Sequence, residues 1–215
     1  MNVTENPMKS QQKKITCGIL LFDNFELLDV YGPAEMLGKF PDQLELVMLG
    51  QKNHISSTQG PKTLVDATIE NCPKLDWLLV PGGQGTRTEV YNQKILTFLQ
   101  EQAKAVSMMI SVCTGSALFA AAGLLDGHKA TTNKRAFHWA TGFGPQVNWL
   151  KQARWVEDGR FFTSSGVSAG IDMALAIIAK QFGKDQAQLI ADATEYEWHQ
   201  DASWDPFAKV HGLIQ

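Results

Sequence analysis

Cys113 stands where an apolar run containing β-branched residues, Val106-Ser107-Met108-Met109-Ile110-Ser111-Val112, passes without a loop into Gly115-Ser116-Ala117-Leu118-Phe119-Ala120-Ala121-Ala122-Gly123. That pattern predicts strand, sharp turn and helix, with the thiol at the join. A side chain there is pushed out at the edge of the sheet, and the amides of the first helical turn point towards it. Their unpaired N–H groups carry the positive end of the helix dipole, which favours thiolate over thiol. The same donors can hold an oxyanion formed on a substrate. Gly115, Ser116 and Ala117 are small enough for the helix to start close to the strand, as a nucleophile turn requires. A cysteine in an apolar run is otherwise one more small buried residue. Its place at the turn, rather than in mid-strand, points to function.

Asp29 is an acid embedded among Leu27, Leu28, Val30 and Tyr31, just ahead of Gly32-Pro33, where a helix with Pro in its first turn is expected. It has two readings. It caps the amides of that helix, or it is a carboxyl on the edge where open α/β sheets place their sites. Pro81-Gly82-Gly83-Gln84-Gly85-Thr86 is a glycine-rich loop without the lysine of a phosphate loop or G-x-G-x-x-G spacing. Glycine there lets a backbone N–H approach a reacting centre.

Glu195-Tyr196-Glu197-Trp198-His199-Gln200-Asp201 invites reading as a metal cluster or as the His and Glu of an amidotransferase triad. In that triad Glu follows His by two residues, whereas here it precedes, and helical spacing spreads these groups around the axis. A solvated helix end, or a dimer or pocket rim with Trp198 and Trp204, is expected instead, and no metal site. His54, His128 and His211 fall in loop or tail settings and are expected at the surface. His138, near Trp139 and Phe143, is expected to pack beside the pocket.

Apolar runs without a helical stripe predict buried strands over residues 15–22, 44–50 and 75–80, with a small hairpin or an extended excursion over 55–68 around Gly60-Pro61. A helix is expected over 92–104, a brief strand over 130–132 and helical structure over 135–141. Asp158-Gly159 predicts a hairpin joining 154–157 to 160–166. A helix apolar nearly all round follows over 169–180, and a last helix over about 185–197. Alternating buried strands and helices imply a doubly wound, largely parallel sheet covered on both faces.

The chain has 215 residues, 44% hydrophobic and 19% charged, which suits one domain over 15–215 after a polar, disordered lead-in over 1–14. A net charge of −3, with a pI near 5.9, gives no electrostatic case for nucleic acid or a membrane surface. Cys17, Cys72 and Cys113 are far apart and lack metal-ligand spacing, so a reducing cytoplasm and no disulfide are expected. No signal peptide or membrane span is read from the sequence.

Four motifs in order, Pro81-Gly82-Gly83, Ser111-Val112-Cys113-Thr114-Gly115, Ala122-Gly123-Leu124-Leu125-Asp126-Gly127 and Thr163-Ser164-Ser165-Gly166-Val167-Ser168-Ala169-Gly170-Ile171-Asp172, resemble the DJ-1/ThiJ/PfpI superfamily. The resembling branch is that of isonitrile hydratases, together with the amidase-like domain at the front of some AraC-type regulators. The resemblance implies a flavodoxin-like sandwich, akin to class I glutamine amidotransferases, and a homodimer. It matches Cys113 to a nucleophile in a strained turn and Asp29 to the acid that hydrogen-bonds it. Gly83 and Thr114 match the amides that bind an oxyanion, and the Thr114 side chain matches one near the isonitrile hydratase site. Beside a thiol, Asp29 would have to stay protonated to donate, which needs an apolar setting.

Two departures stand out. Members with protease, deglycase or glyoxalase-like activity usually carry His straight after the cysteine, where this chain has Thr114. Isonitrile hydratase-like sequences often read Ala-Thr-Thr-His where this chain reads Ala130-Thr131-Thr132-Asn133.

The expected function is a cofactor-free, cysteine-dependent hydro-lyase that hydrates a small isonitrile to an N-formamide. The alternative is an oxidation-sensing stress protein in which Cys113 becomes a sulfinate. A ligand-binding module of a DNA-binding regulator is disfavoured, because no helix-turn-helix pair follows the last expected helix.

Overall fold

The computed structural model describes residues 14–215, so most of the expected lead-in over 1–14 lies outside the described residues. The first half runs β1 (Ile15–Leu20), α1 (Leu27–Leu37), β2 (Leu44–Gly50), the antiparallel hairpin β3 (His54–Ser56) and β4 (Lys62–Leu64), then β5 (Ala67–Thr68) and β6 (Trp77–Val80). Next come α2 (Thr86–Glu89), α3 (Gln93–Ala105), β7 (Met108–Ser111), α4 (Gly115–Ala121), β8 (Lys129–Ala130) and α5 (Phe137–Thr141). The chain continues through β9 (Asn148–Trp149), β10 (Trp155–Asp158), β11 (Phe161–Ser164), α6 (Ala169–Phe182), α7 (Lys184–Ala193) and α8 (Phe207–Val210).

Seven strands form the central sheet in the order β10-β11-β7-β6-β1-β2-β5. All neighbours are parallel except β10, which closes one edge as a hairpin on β11. The fold is a flavodoxin-like α/β sandwich. Strands β6 and β7 are buried at every residue, as the unbroken apolar runs require of strands covered on both faces. From β1 the chain winds outward through β2 to β5 and then returns to place β6 on the other side of β1. Open sheets of this kind bind ligands where the order reverses, outside the carboxyl ends of the strands. Asp29 follows β1, Gly82 and Gly83 follow β6 and Cys113 follows β7, so the fold gathers all of them at that crevice.

Helices α1 and α6 pack against each other beside it, at glycines that admit no side chain. A Cβ at Gly32 would lie 2.7 Å from Ile171 Cγ1.

Several elements differ from expectation. Helix α1 begins at Leu27 rather than at Gly32-Pro33, so Pro33 is inside it and Asp29 occupies its first turn. The start is set by tertiary pairing, because Glu26 N donates to Gly82 O at 2.9 Å and Phe25 bridges to both Ser57 and Gly83. The strand expected over 130–132 stops at Ala130, since Thr131 N donates instead to Thr163 Oγ1 and the Thr132 hydroxyl to Cys113 O. Helix α7 ends at Ala193, and Glu195 has a left-handed backbone, φ 51°. The segment after it turns inward to Asp172 rather than extending a solvated helix. The short helices α2 and α8 were not expected from the sequence. No helix among the described residues is long and apolar enough to cross a membrane.

Candidate active site

Strand β7 is followed by Val112, whose N–H donates to Val80 O, and then by Cys113, whose N–H donates to Ser165 O at 3.1 Å. These bonds hold Cys113 at φ 58°, a left-handed conformation that a residue with a side chain adopts only under constraint. Gly115 makes the turn possible, because a Cβ there would run into the carbonyl oxygens of Val80 and Pro81. The Cys113 carbonyl is held by the hydroxyls of Thr132 at 3.0 Å and Ser116 at 3.2 Å. Only 5% of the residue is exposed, and it lines a cavity of about 690 Å³.

Asp29 is fully buried beside the thiol. Its Oδ2 accepts from Gly82 N at 2.8 Å, while Oδ1 has no hydrogen-bond partner among the described residues. Gly82 must be glycine for this approach, since a Cβ would come within 2.9 Å of Thr114 N, Thr114 Oγ1 and Cys113 Cβ. Burial pushes the Asp29 carboxyl up to about 8, and the negative charge of Glu26 adds to the rise. The Gly82 N–H is the main opposing influence, with smaller ones from Cys113 and the Val167 N–H. The acid is therefore protonated at neutral pH, as a donor to sulfur would have to be.

The thiol departs from the expected activation. Burial pushes Cys113 well above the ordinary thiol range, and a charge on Asp29 would push it further. The Thr114 N–H, the Val167 N–H and the Asn133 amide pull it back without overcoming burial. Helix α4 has only seven residues, and the hydrogen bond from its N-terminal Thr114 N–H does not offset the loss of solvent. The resting pair thus holds both protons.

Thr114 is buried over the same floor. Its hydroxyl accepts from Gly83 N at 3.1 Å and lies 3.1 Å from Thr86 Oγ1, which donates to Gly83 O at 2.7 Å. The Gly83 N–H, read from the sequence as an oxyanion donor, is thus taken up by the Thr114 hydroxyl. Gly83 has φ 121°, a backbone conformation that only glycine adopts freely.

Asn133, noted in the sequence only as a departure from His, is part of the site. Its Nδ2 donates to Cys113 Sγ at 3.2 Å, and its Oδ1 accepts from Ala136 N at 2.9 Å, which fixes the amide's orientation. Its position after two buried threonines, where a resembling family often carries His, was the available signal. Val167, with φ 48°, directs its N–H towards both Cys113 and Asp29. No sequence pattern foretold that strain.

The histidines divide differently from expectation. His54 is exposed on β3, and His138 is exposed with its ring edge-on to Phe137. His128 is half-buried against Asp158 and the Phe161 ring. His211 is exposed, as expected, and also lines the cavity with Phe207. Glu195–Asp201 surrounds Asp172 instead of a metal: Tyr196 Oη and His199 N each donate to Asp172 Oδ1 at 3.0 Å. Among the described residues no group of three or more His, Cys, Asp or Glu is arranged to hold a metal ion.

A family model described as the DJ-1/PfpI family matches residues 14–180. The chain is 37% identical to an isonitrile hydratase from Pseudomonas putida over 83% of its own length and 77% of the relative. It is 32% identical to the HTH-type transcriptional regulator GbdR of Pseudomonas aeruginosa over 84% of its length, and the match spans half of that regulator. A ThiJ/PfpI family protein from Pseudomonas syringae superposes with a TM-score of 0.80 at 27% identity, covering 92% of this chain and 82% of the other.

Proposed function

The chain belongs to the DJ-1/PfpI family, and we propose that it hydrates a small isonitrile to an N-formamide with Cys113 as nucleophile and Asp29 as its acid. The observation that carries this reading is the fully buried Asp29 carboxyl, pushed up to about 8 by burial, beside a strained thiol at the floor of a cavity. An isonitrile carbon accepts a nucleophile and then needs a proton, and this pair supplies both. As Sγ bonds to the terminal carbon, Asp29 delivers its proton to that carbon and receives the thiol's own. The product is a neutral thioimidate. Water then adds to the same carbon, one of its protons passes to nitrogen, the C–S bond breaks and sulfur regains a proton, leaving the formamide. The Thr114 N–H and the Asn133 amide, both directed at sulfur, stabilise charge developing there. Nothing beyond these groups and one water enters the balance.

The similarity to the Pseudomonas putida isonitrile hydratase over most of both chains supports this reaction class. A homodimer belongs to the same proposal and is supported by exposed Leu28, Tyr31 and Leu64, which lie on adjacent elements joined by the Tyr31–Thr63 hydrogen bond. Incubation of the purified protein with an alkyl isonitrile is expected to release the corresponding formamide, and Cys113→Ala to abolish that release. Formamide production surviving the substitution would overturn the proposal.

A further inference from the structure

The cavity over Cys113 is larger and more cationic than hydration of an isonitrile group requires. At about 690 Å³ it falls in the range that holds a whole small molecule rather than a single reacting group. Its charged lining is Arg87, Lys134 and Arg135 against one acid, Glu26, whose Oε1 accepts from Gln59 Nε2 at 2.6 Å. A chain of net charge −3 has therefore concentrated positive charge at its reactive centre. In a concave site such a field selects anions.

Arg87 is the cation built for recognition. Its guanidinium lies 4.0 Å from the centre of the Trp139 ring, and Nη1 donates to Gly83 O at 3.2 Å and to Thr86 Oγ1 at 3.1 Å. Stacking and these two bonds orient the plane. Nε and Nη2 donate to no acceptor among the described residues, and no carboxylate among them pairs with Arg87. Lys134, by contrast, spends its ammonium on Thr131 Oγ1 at 2.6 Å and Ala153 O at 2.5 Å. The Arg87 charge is near enough to Cys113 for a thiolate there to be felt by the guanidinium.

We propose that the site takes a small isonitrile that also bears a carboxylate, bound by the free Nε and Nη2 edge of Arg87 while the isonitrile carbon meets Cys113. The edge of a guanidinium matches the two oxygens of one carboxylate, and an oriented plane loses little freedom on binding. This assignment rests on the reading of Cys113 as the nucleophile of an addition site. Arg87 is a specificity residue in it, and the Trp139 ring is its support.

The test compares alkylation of Cys113 by iodoacetate and by iodoacetamide, followed by peptide mass so that Cys17 and Cys72 are scored separately. The two reagents form the same S–C bond with loss of iodide and the thiol proton, and they differ in the carboxylate. Arg87→Gln is expected to lower the iodoacetate-to-iodoacetamide rate ratio at Cys113 about tenfold or more. Arg87→Lys, which keeps the charge without the fork, is expected to keep part of the ratio. In parallel, an ω-isocyano carboxylate is expected to be hydrated with at least tenfold higher kcat/KM than its methyl ester. An alkylation ratio equal in the native protein, Arg87→Gln and Arg87→Lys would overturn the carboxylate site whatever the hydration result. If neither isonitrile is hydrated but the alkylation ratio behaves as expected, the hydration reading fails and the anion site stands.

Discussion

Asp29 and Asp172 occupy equivalent places, each fully buried in the first turn of a helix that follows a parallel strand of the sheet, yet their surroundings are opposite. Asp172 Oδ2 receives Arg154 Nε at 2.7 Å and Nη2 at 2.6 Å, and Oδ1 receives Tyr196 Oη and His199 N. Every lone pair that points at a donor is used, and an ion pair supplies the counter-charge. Asp29 has one hydrogen bond, from Gly82 N to Oδ2, and among the described residues Oδ1 has no hydrogen-bond partner, with only the weaker influence of Cys113 and the Val167 N–H nearby. Buried carboxyls are therefore not of one kind. Surrounded by donors and a guanidinium, the group ties chain segments together, in this case α6 to the residues after α7. Left under-satisfied in an apolar setting, it keeps its proton and can give it away.

The largest effect that separates the two is on rate. Asp29→Asn is expected to lower formamide production by about 10²–10⁴-fold, the usual contribution of a positioned acid, measured as kcat/KM. The same variant is expected to be more stable than the parent. With the folded carboxyl at about 8 and the unfolded one near the ordinary value of about 3.9, the unfolded chain loses its proton first. Stability attributable to Asp29 is thus present below about pH 4, falls as pH rises from about 4 to 8 and is then flat. The advantage of Asp29→Asn in melting temperature should widen over that window.

Asp172→Asn should do the reverse. Removing the charge opposite buried Arg154 is expected to cost about 3–5 kcal/mol of stability in denaturant unfolding, with the folded fraction still active. Loss of activity per folded molecule as large as that of Asp29→Asn would dissolve the distinction.

The smallest effect concerns Asn133. Asn133→Ala removes one neutral donor to sulfur and is expected to reduce kcat/KM about tenfold with little change in stability. A larger loss than that of Asp29→Asn would move the principal role from the acid to the amide.

What was legible in the sequence follows from how local each feature is. The buried strands are periodic runs of a few residues, and β2 falls where the pattern of residues 44–50 puts it. Because parallel strands send their carboxyl ends to one edge, Cys113, Asp29, Thr114 and Gly83 could be brought together from the sequence alone. The remainder depends on long-range contacts. Asn133 reaches Cys113 from 20 residues away, and Arg87 is oriented by Trp139 across a cavity that no spacing reveals. The helix expected through Glu197 fails for the same reason, since Tyr196, Trp198 and His199 all find Asp172 and abandon the helical register. The turn suggested a thiol favoured as thiolate, whereas burial, set by the tertiary structure, pushes it the other way.

A proton held by Asp29 is central to the chemistry, and infrared difference spectroscopy between the parent protein and Asp29→Asn reads it directly. A carboxylic C=O band lost in the variant should be present at pH 6.5 and should titrate away near pH 8. A carboxyl already ionised at pH 6 would contradict it.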